Sequence, residues 1–154
     1  MESAFCLTDH KHTAMFKYLL RILPVMMALA IVSCEHKPTE KVMERHPNGQ
    51  ASKVFYYEGD KLVREVDYYE DGAVMMEGPM ENGERNGDWV SYFPDGKVQS
   101  KGTFQNGVRT GKSEVYYENG HLWMEGNYKD GHQQGDWVYY DEQGYELGHV
   151  NHGD

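Results

Sequence analysis

Residues 118–137 read "ENGHLWMEGNYKDGHQQGDW" and residues 94–113 read "PDGKVQSKGTFQNGVRTGKS". The glycines coincide in the two stretches, while most residues between them differ. The coincidence runs along the chain. Gly72, Gly96, Gly120 and Gly144 are 24 residues apart, and so are Gly78, Gly102 and Gly126; Gly59, Gly83, Gly107 and Gly131; and Gly87, Gly111 and Gly135. A fixed period of this size marks a stacked array in which each unit touches only its neighbours. Gly49 stands one residue out of register with Gly72, so the first unit is a residue short, as terminal repeats often are.

Each unit reads as two antiparallel strands. "EDG" (70–72), "PDG" (94–96), "ENG" (118–120) and "EQG" (142–144) put glycine where a tight hairpin needs positive φ. Runs of strand formers such as "DWVSYF", "DWVYY" and "HLWMEGNY" flank them. "NGERNG", "NGVRTG" and "DGHQQG" read as wider loops between one hairpin and the next. The expectation is an all-β fold: a single-layer antiparallel meander of stacked 24-residue β-hairpin repeats over residues 44–154, with eight to nine strands.

A period of two assigns the faces. Tyr68, Tyr92, Tyr116 and Tyr140 form one column and share a face with Val66, Val90, Glu114 and Val138, while Tyr56, Met80, Phe104 and Tyr128 form a column on the neighbouring strand. Trp89, Ser113 and Trp137, with Ser91, Val115 and Tyr139, fall on the opposite face. Its mixed composition predicts a half-solvated surface. Trp89, Trp123, Trp137 and Tyr139 are therefore the candidate partner-binding residues, because exposed aromatics anchor protein interfaces. Trp123 stands out among them: its repeat counterparts are Met75 and Gln99, so no packing role common to all units requires an indole there.

The units "GNYKDGHQQGDWVYYDEQG" (126–144), "GPMENGERNGDWVSYFPDG" (78–96) and "GTFQNGVRTGKSEVYYENG" (102–120) resemble the MORN repeat variant, as found in the YwqK-type antitoxin family of bacterial proteins, many of them predicted lipoproteins. The resemblance covers residues 44–154. It implies a scaffold for protein–protein interaction and, more narrowly, an antitoxin or immunity-like partner that masks a toxin. Ser113, where other units have Trp, and Glu65 in the first unit depart from the pattern.

The beginning of the chain carries an address. From Met15 it reads "MFKYLLRILPVMMALAIVSC", with Lys17 and Arg21 ahead of an apolar run from Ile22 to Ser33 and then Cys34. That run is too short to be a permanent span and fits a signal peptide. "IVSC" resembles the lipobox of bacterial lipoproteins, which implies cleavage before Cys34 and lipid on its sulfur. Residues 1–14, of mixed charge and without periodicity, read as a mis-assigned start extension; residues 15–33 as the signal peptide; residues 34–43 as a polar tether. The expected location is the bacterial cell envelope, membrane-anchored through Cys34.

Composition limits the partners. The 154 residues carry a formal net charge of −10 and a mean hydropathy of −0.78. Nucleic acid and anionic headgroups demand a Lys/Arg surface and are excluded as partners; a basic protein, such as a basic toxin, suits the charge. Beyond Cys6 and Cys34 there is no cysteine, so the repeats have neither disulfide nor thiolate. No nucleophile elbow or phosphate loop is present. His149 and His152 could be drawn as metal ligands with Glu146 or Asp154, but read better as solvated residues on an irregular tail. The expectation is a non-enzyme without cofactor or metal. The alternative to protein binding is carbohydrate or peptidoglycan binding through the exposed aromatics.

Overall fold

A computed structural model describes residues 37–153. The start extension, the signal peptide and Cys34 lie outside the described residues. Eleven strands follow one another: β1 (Thr39–Arg45), β2 (Ala51–Glu58), β3 (Lys61–Tyr68), β4 (Val74–Glu81), β5 (Glu84–Arg85), β6 (Gly87–Tyr92), β7 (Val98–Gln105), β8 (Val108–Tyr116), β9 (Leu122–Lys129), β10 (His132–Tyr140) and β11 (Glu146–Asn151). They form one antiparallel sheet in sequence order, with β5 a short companion of β4. The all-β meander of hairpin repeats is the observed fold. The two or three strands beyond the expected number come from β5 and from the ends of the array. β1 takes in residues 39–43, which the sequence suggested were tether, so the sheet begins ahead of residue 44. Every β1 residue is exposed, and a strand with no buried face leaves no alternation to read.

The two turn classes are the reverse of the expected ones. Asn82–Gly83, Asn106–Gly107 and Asp130–Gly131 all have positive φ, between 48° and 83°, which makes "NG" and "DG" the tight two-residue type I′ turns. "PDG" and its counterparts are the wider loops. Phe93 N donates to Lys97 O at 2.8 Å and Gly96 N to Phe93 O at 2.9 Å, and the pattern recurs at 46–50, 69–73, 117–121 and 141–145. Both classes need a left-handed glycine, so glycine placement alone does not separate them.

The wide loops fasten each unit to the next. Tyr69 Oη donates to Tyr92 O at 2.8 Å, Tyr117 Oη to Tyr140 O at 2.9 Å, and His46 Nε2 lies 2.8 Å from Tyr68 O. Phe93, at the same position, has no hydroxyl to make this tie. The tight turns add backbone ties, with Gly107 N donating to Arg85 O and Gly131 N to Arg109 O at 2.9 Å each.

The side chains sort onto two faces. On one, the row Val42, Val54, Val66, Glu77, Val90, Lys101, Glu114, Glu125, Val138, His149 runs from β1 to β11. Val54 and Val66 are buried. Tyr56 joins this face, opposite Arg64, rather than the Met80 column on the other face. The first hairpin turns at Gly59–Asp60, with Gly59 as its only positive-φ residue, and a one-residue change of register moves side chains to the opposite face.

Candidate functional site

The face expected to be half-solvated is where the array packs most tightly. Trp89 is 3 % exposed and Trp137 0 %, so neither belongs to an open binding surface. Each indole lies flat on a glycine of the preceding strand, Trp89 on Gly78 and Trp137 on Gly126, where a Cβ would meet ring atoms at 2.3 Å. The indole nitrogens donate to Pro79 O at 3.1 Å and Asn127 O at 3.3 Å. Edge contacts close the packing: Phe104 on Trp89 at 6.2 Å, and Tyr128 and His152 on Trp137 at 5.2 and 6.3 Å. The signal was present in the sequence as glycine eleven residues before tryptophan, twice.

Arg85 and Arg109 are structural residues that sequence reasoning missed. The Arg85 guanidinium stacks over Trp89 at 4.1 Å and reaches Glu65 Oε1 at 3.2 Å. Glu65 and Asp67, both buried, share Lys53, whose Nζ lies 2.9 Å from Glu65 Oε1 and 3.0 Å from Asp67 Oδ1; the second contact is close without hydrogen-bond alignment. Burial works to lower the Lys53 pKa, but the two carboxylates outweigh it and hold the ammonium above its ordinary value. Arg109 covers Gly102 at 3.6 Å and lies between Phe104 and Tyr128 at 5.5 and 5.2 Å. It fills the place of the indole that Ser113 lacks. Ser113 itself is 2 % exposed, and its hydroxyl has no partner.

The tyrosine column on the other face is held by carboxylates. Tyr92 Oη donates to Glu77, Tyr116 Oη to Glu114 and Tyr140 Oη to Glu125, at 2.7 to 3.0 Å. Burial first, and then the Glu114 carboxylate, push the Tyr116 hydroxyl up to about 12. Lys112 bridges Glu114 and Glu125 at 2.7 and 2.9 Å. Acids and bases here answer one another, and the hollow of about 210 Å³ beside Asp88, Val90, Lys101 and Thr103 shares that paired lining.

Two candidates remain accessible. Tyr139 is half-buried between Met124 and Gly148. Trp123 is 41 % exposed and, among the described aromatic rings, touches only Tyr117, at 6.1 Å. Its exposure has a backbone cause. Opposite β8, the register passes from Val115↔Met124 to Tyr116↔Leu122, so Trp123 is the extra residue of a β-bulge. Met75, Gln99 and Leu147 are the extra residues of the equivalent bulges. A bulged residue is left out of cross-strand pairing, which explains why this column tolerates four dissimilar side chains. His149 sits opposite Val138 on the edge strand, and His152 is spent on Trp137. Among the described residues no group of three or more His, Cys, Asp or Glu side chains is arranged to hold a metal.

With that geometry in place, one comparison is decisive for the repeat. The family model described as MORN repeat variant matches residues 85–106 and 109–130. These stretches run from β5 through the tight turn after β9, and the same hairpin pattern continues beyond them on both sides. Units of this kind make a repeat scaffold suited to protein interaction. No curated protein matches the chain.

Proposed function

We propose that the chain is a lipoprotein held at the bacterial cell envelope through Cys34, and that its MORN-type sheet is a non-catalytic docking surface for a protein partner, in the manner of an antitoxin or immunity protein that masks a basic toxin. The observation that carries the docking role is Trp123: a 41 % exposed indole on a bulge position that Met75, Gln99 and Leu147 fill in the other units, within a chain of net charge −10. Exposed tryptophans at well-defined backbone positions are the usual anchors of interfaces, and the acidic surface favours a basic partner. Support for the anchor comes from the lipobox-like "IVSC". No cofactor enters the proposal.

The test is capture from envelope membranes with the wild-type chain and with Trp123→Ala. A basic protein retained by the wild type should be weakened by salt and lost on substitution, with affinity falling about 30-fold, equivalent to ~2 kcal/mol. Recovery of muropeptides or glycans in its place would move the reading to the carbohydrate class. The wild type should partition into the detergent phase with the mass of its acyl chains, and Cys34→Ala should accumulate unprocessed or be released slowly, without that mass. A wild-type chain that is soluble and carries no lipid would remove the anchor from the proposal.

A further inference from the structure

The sheet has two outer strands, and they differ in chemistry. Of the seven residues of β1, "TEKVMER", four are charged, the ordinary way of blunting an edge against unwanted pairing. β11, "ELGHVN", has Glu146 as its sole carboxylate. Around it Tyr145 is 72 % exposed, Leu147 69 % and Val150 49 %. Leu147 is the bulged residue of its strand, one period after Trp123, so the two apolar side chains project from the same face. Among the described residues, one end of the array thus presents unpaired backbone amides and carbonyls beside an apolar patch.

Two observations restrict what can cover this edge. Val150 stands opposite Trp137 in the column that earlier strands fill with Gly78, Gly102 and Gly126. A Cβ there collides with an indole laid down by the next strand, so a further Trp-bearing repeat is refused. Charge restricts it again. Residues 113–153 hold eight carboxylates against the one cation of Lys129, whereas residues 37–112 hold thirteen acidic and eleven basic side chains. Two copies paired through β11 would set two acidic ends against each other.

Deepening the docking role proposed above, and resting on it only for the partner's being a protein, we infer that the free edge of β11 receives an extended basic segment of that partner. The segment adds as an antiparallel strand. Its main chain pairs with β11, its apolar residues alternate onto the Trp123 and Leu147 face, and its Lys or Arg residues meet Asp141, Glu142 and Glu146. Strand addition of this kind takes its affinity from the main chain and its selectivity from alternate side chains.

Fluorescence anisotropy with the full chain in detergent tests the inference, using short labelled peptides of alternating Lys and Val, of alternating Glu and Val, and of Lys and Val with the backbone nitrogens of one edge methylated. The basic peptide should bind saturably, and the acidic and methylated peptides about ten-fold more weakly or worse. Leu147→Lys should weaken the basic peptide by about ten-fold, while Val42→Lys on β1 leaves it unchanged. A thermal melt identical to wild type establishes that the Leu147→Lys chain is folded. Binding indifferent to methylation or to Leu147→Lys would overturn the inference, as would a β11-dependent dimer in sedimentation. Loss on Trp123→Ala with full binding by Leu147→Lys would overturn the edge inference alone and leave docking on the face intact.

Discussion

The units around Trp137 and Ser113 share a backbone and differ in what fills it. In the fourth unit "WV" places an indole on one face and Val138 on the other; in the third, "SE" places Ser113 and Glu114 at the same positions. The indole lies on Gly126, and the guanidinium of Arg109 lies on Gly102. The glycine column therefore specifies a flat-lying cover over the strand, and either an aromatic ring or an arginine can supply it. Repeats tolerate drift because the cover is set by shape more than by residue type.

The largest effects should come from uncovering or blocking the fourth unit. Trp137→Ala leaves a cavity in the best-packed part of the sheet and should cost about 3–5 kcal/mol. Gly126→Ala, whose new Cβ would stand 2.3 Å from the indole, should cost about 3 kcal/mol by overpacking. In the third unit the same substitution, Gly102→Ala, meets only the end of Arg109 at 3.6 Å, in a strand without positive φ. It should stabilise by about 0.5 kcal/mol through the unfolded chain. Chemical denaturation of the set checks the contrast, and equal losses at Gly102 and Gly126 would break it.

Restoring the indole is the intermediate case. Ser113→Trp removes a buried hydroxyl without a partner and should move Arg109 from Gly102 onto the new ring, as Arg85 lies on Trp89 at 4.1 Å. A gain of about 1–2 kcal/mol in the same denaturation measurement is expected.

The smallest effect distinguishes the other face. Lys112 first, and then the Tyr116 hydroxyl, hold the Glu114 carboxyl below its ordinary range. A lowered pKa contributes stability that is present above the unfolded value and is lost as pH falls through the folded one. The wild-type melting temperature should therefore drop more steeply below about pH 4.5 than that of Glu114→Val. Lys112 is 60 % exposed, so this surface pair is worth about 1 kcal/mol or less.

The spacing of glycines made the meander, the strands after β1 and the sorting of side chains from Tyr68 onward into two faces legible before any coordinates, while the register change at the first hairpin moved Tyr56 to the other face. The burial of Trp89 and Trp137 was hidden because it depends on a glycine across the hairpin, a non-local relation that alternation within a strand does not express. β1 was hidden by its full exposure, and the two turn classes by their common need for glycine. Trp123 could be singled out because its column holds Met75 and Gln99, to which the structure adds Leu147. Dissimilar residues at one repeat position mean that the array asks nothing of them, and the β-bulge is the reason.

The ties of the wide loops to the following unit reach 21 to 23 residues along the chain. Among the described residues none reaches across the sheet to fasten its first strand to its last. Closing such short loops costs little chain entropy, so the sheet can nucleate at any hairpin and spread outward from it, a folding route of low contact order unusual for an all-β protein. Pulled from its ends, it should give way one hairpin at a time, starting at the seam where the exposed ammonium of Lys97, on Glu118 O at 2.9 Å, stands in for the tyrosine hydroxyl that Phe93 lacks.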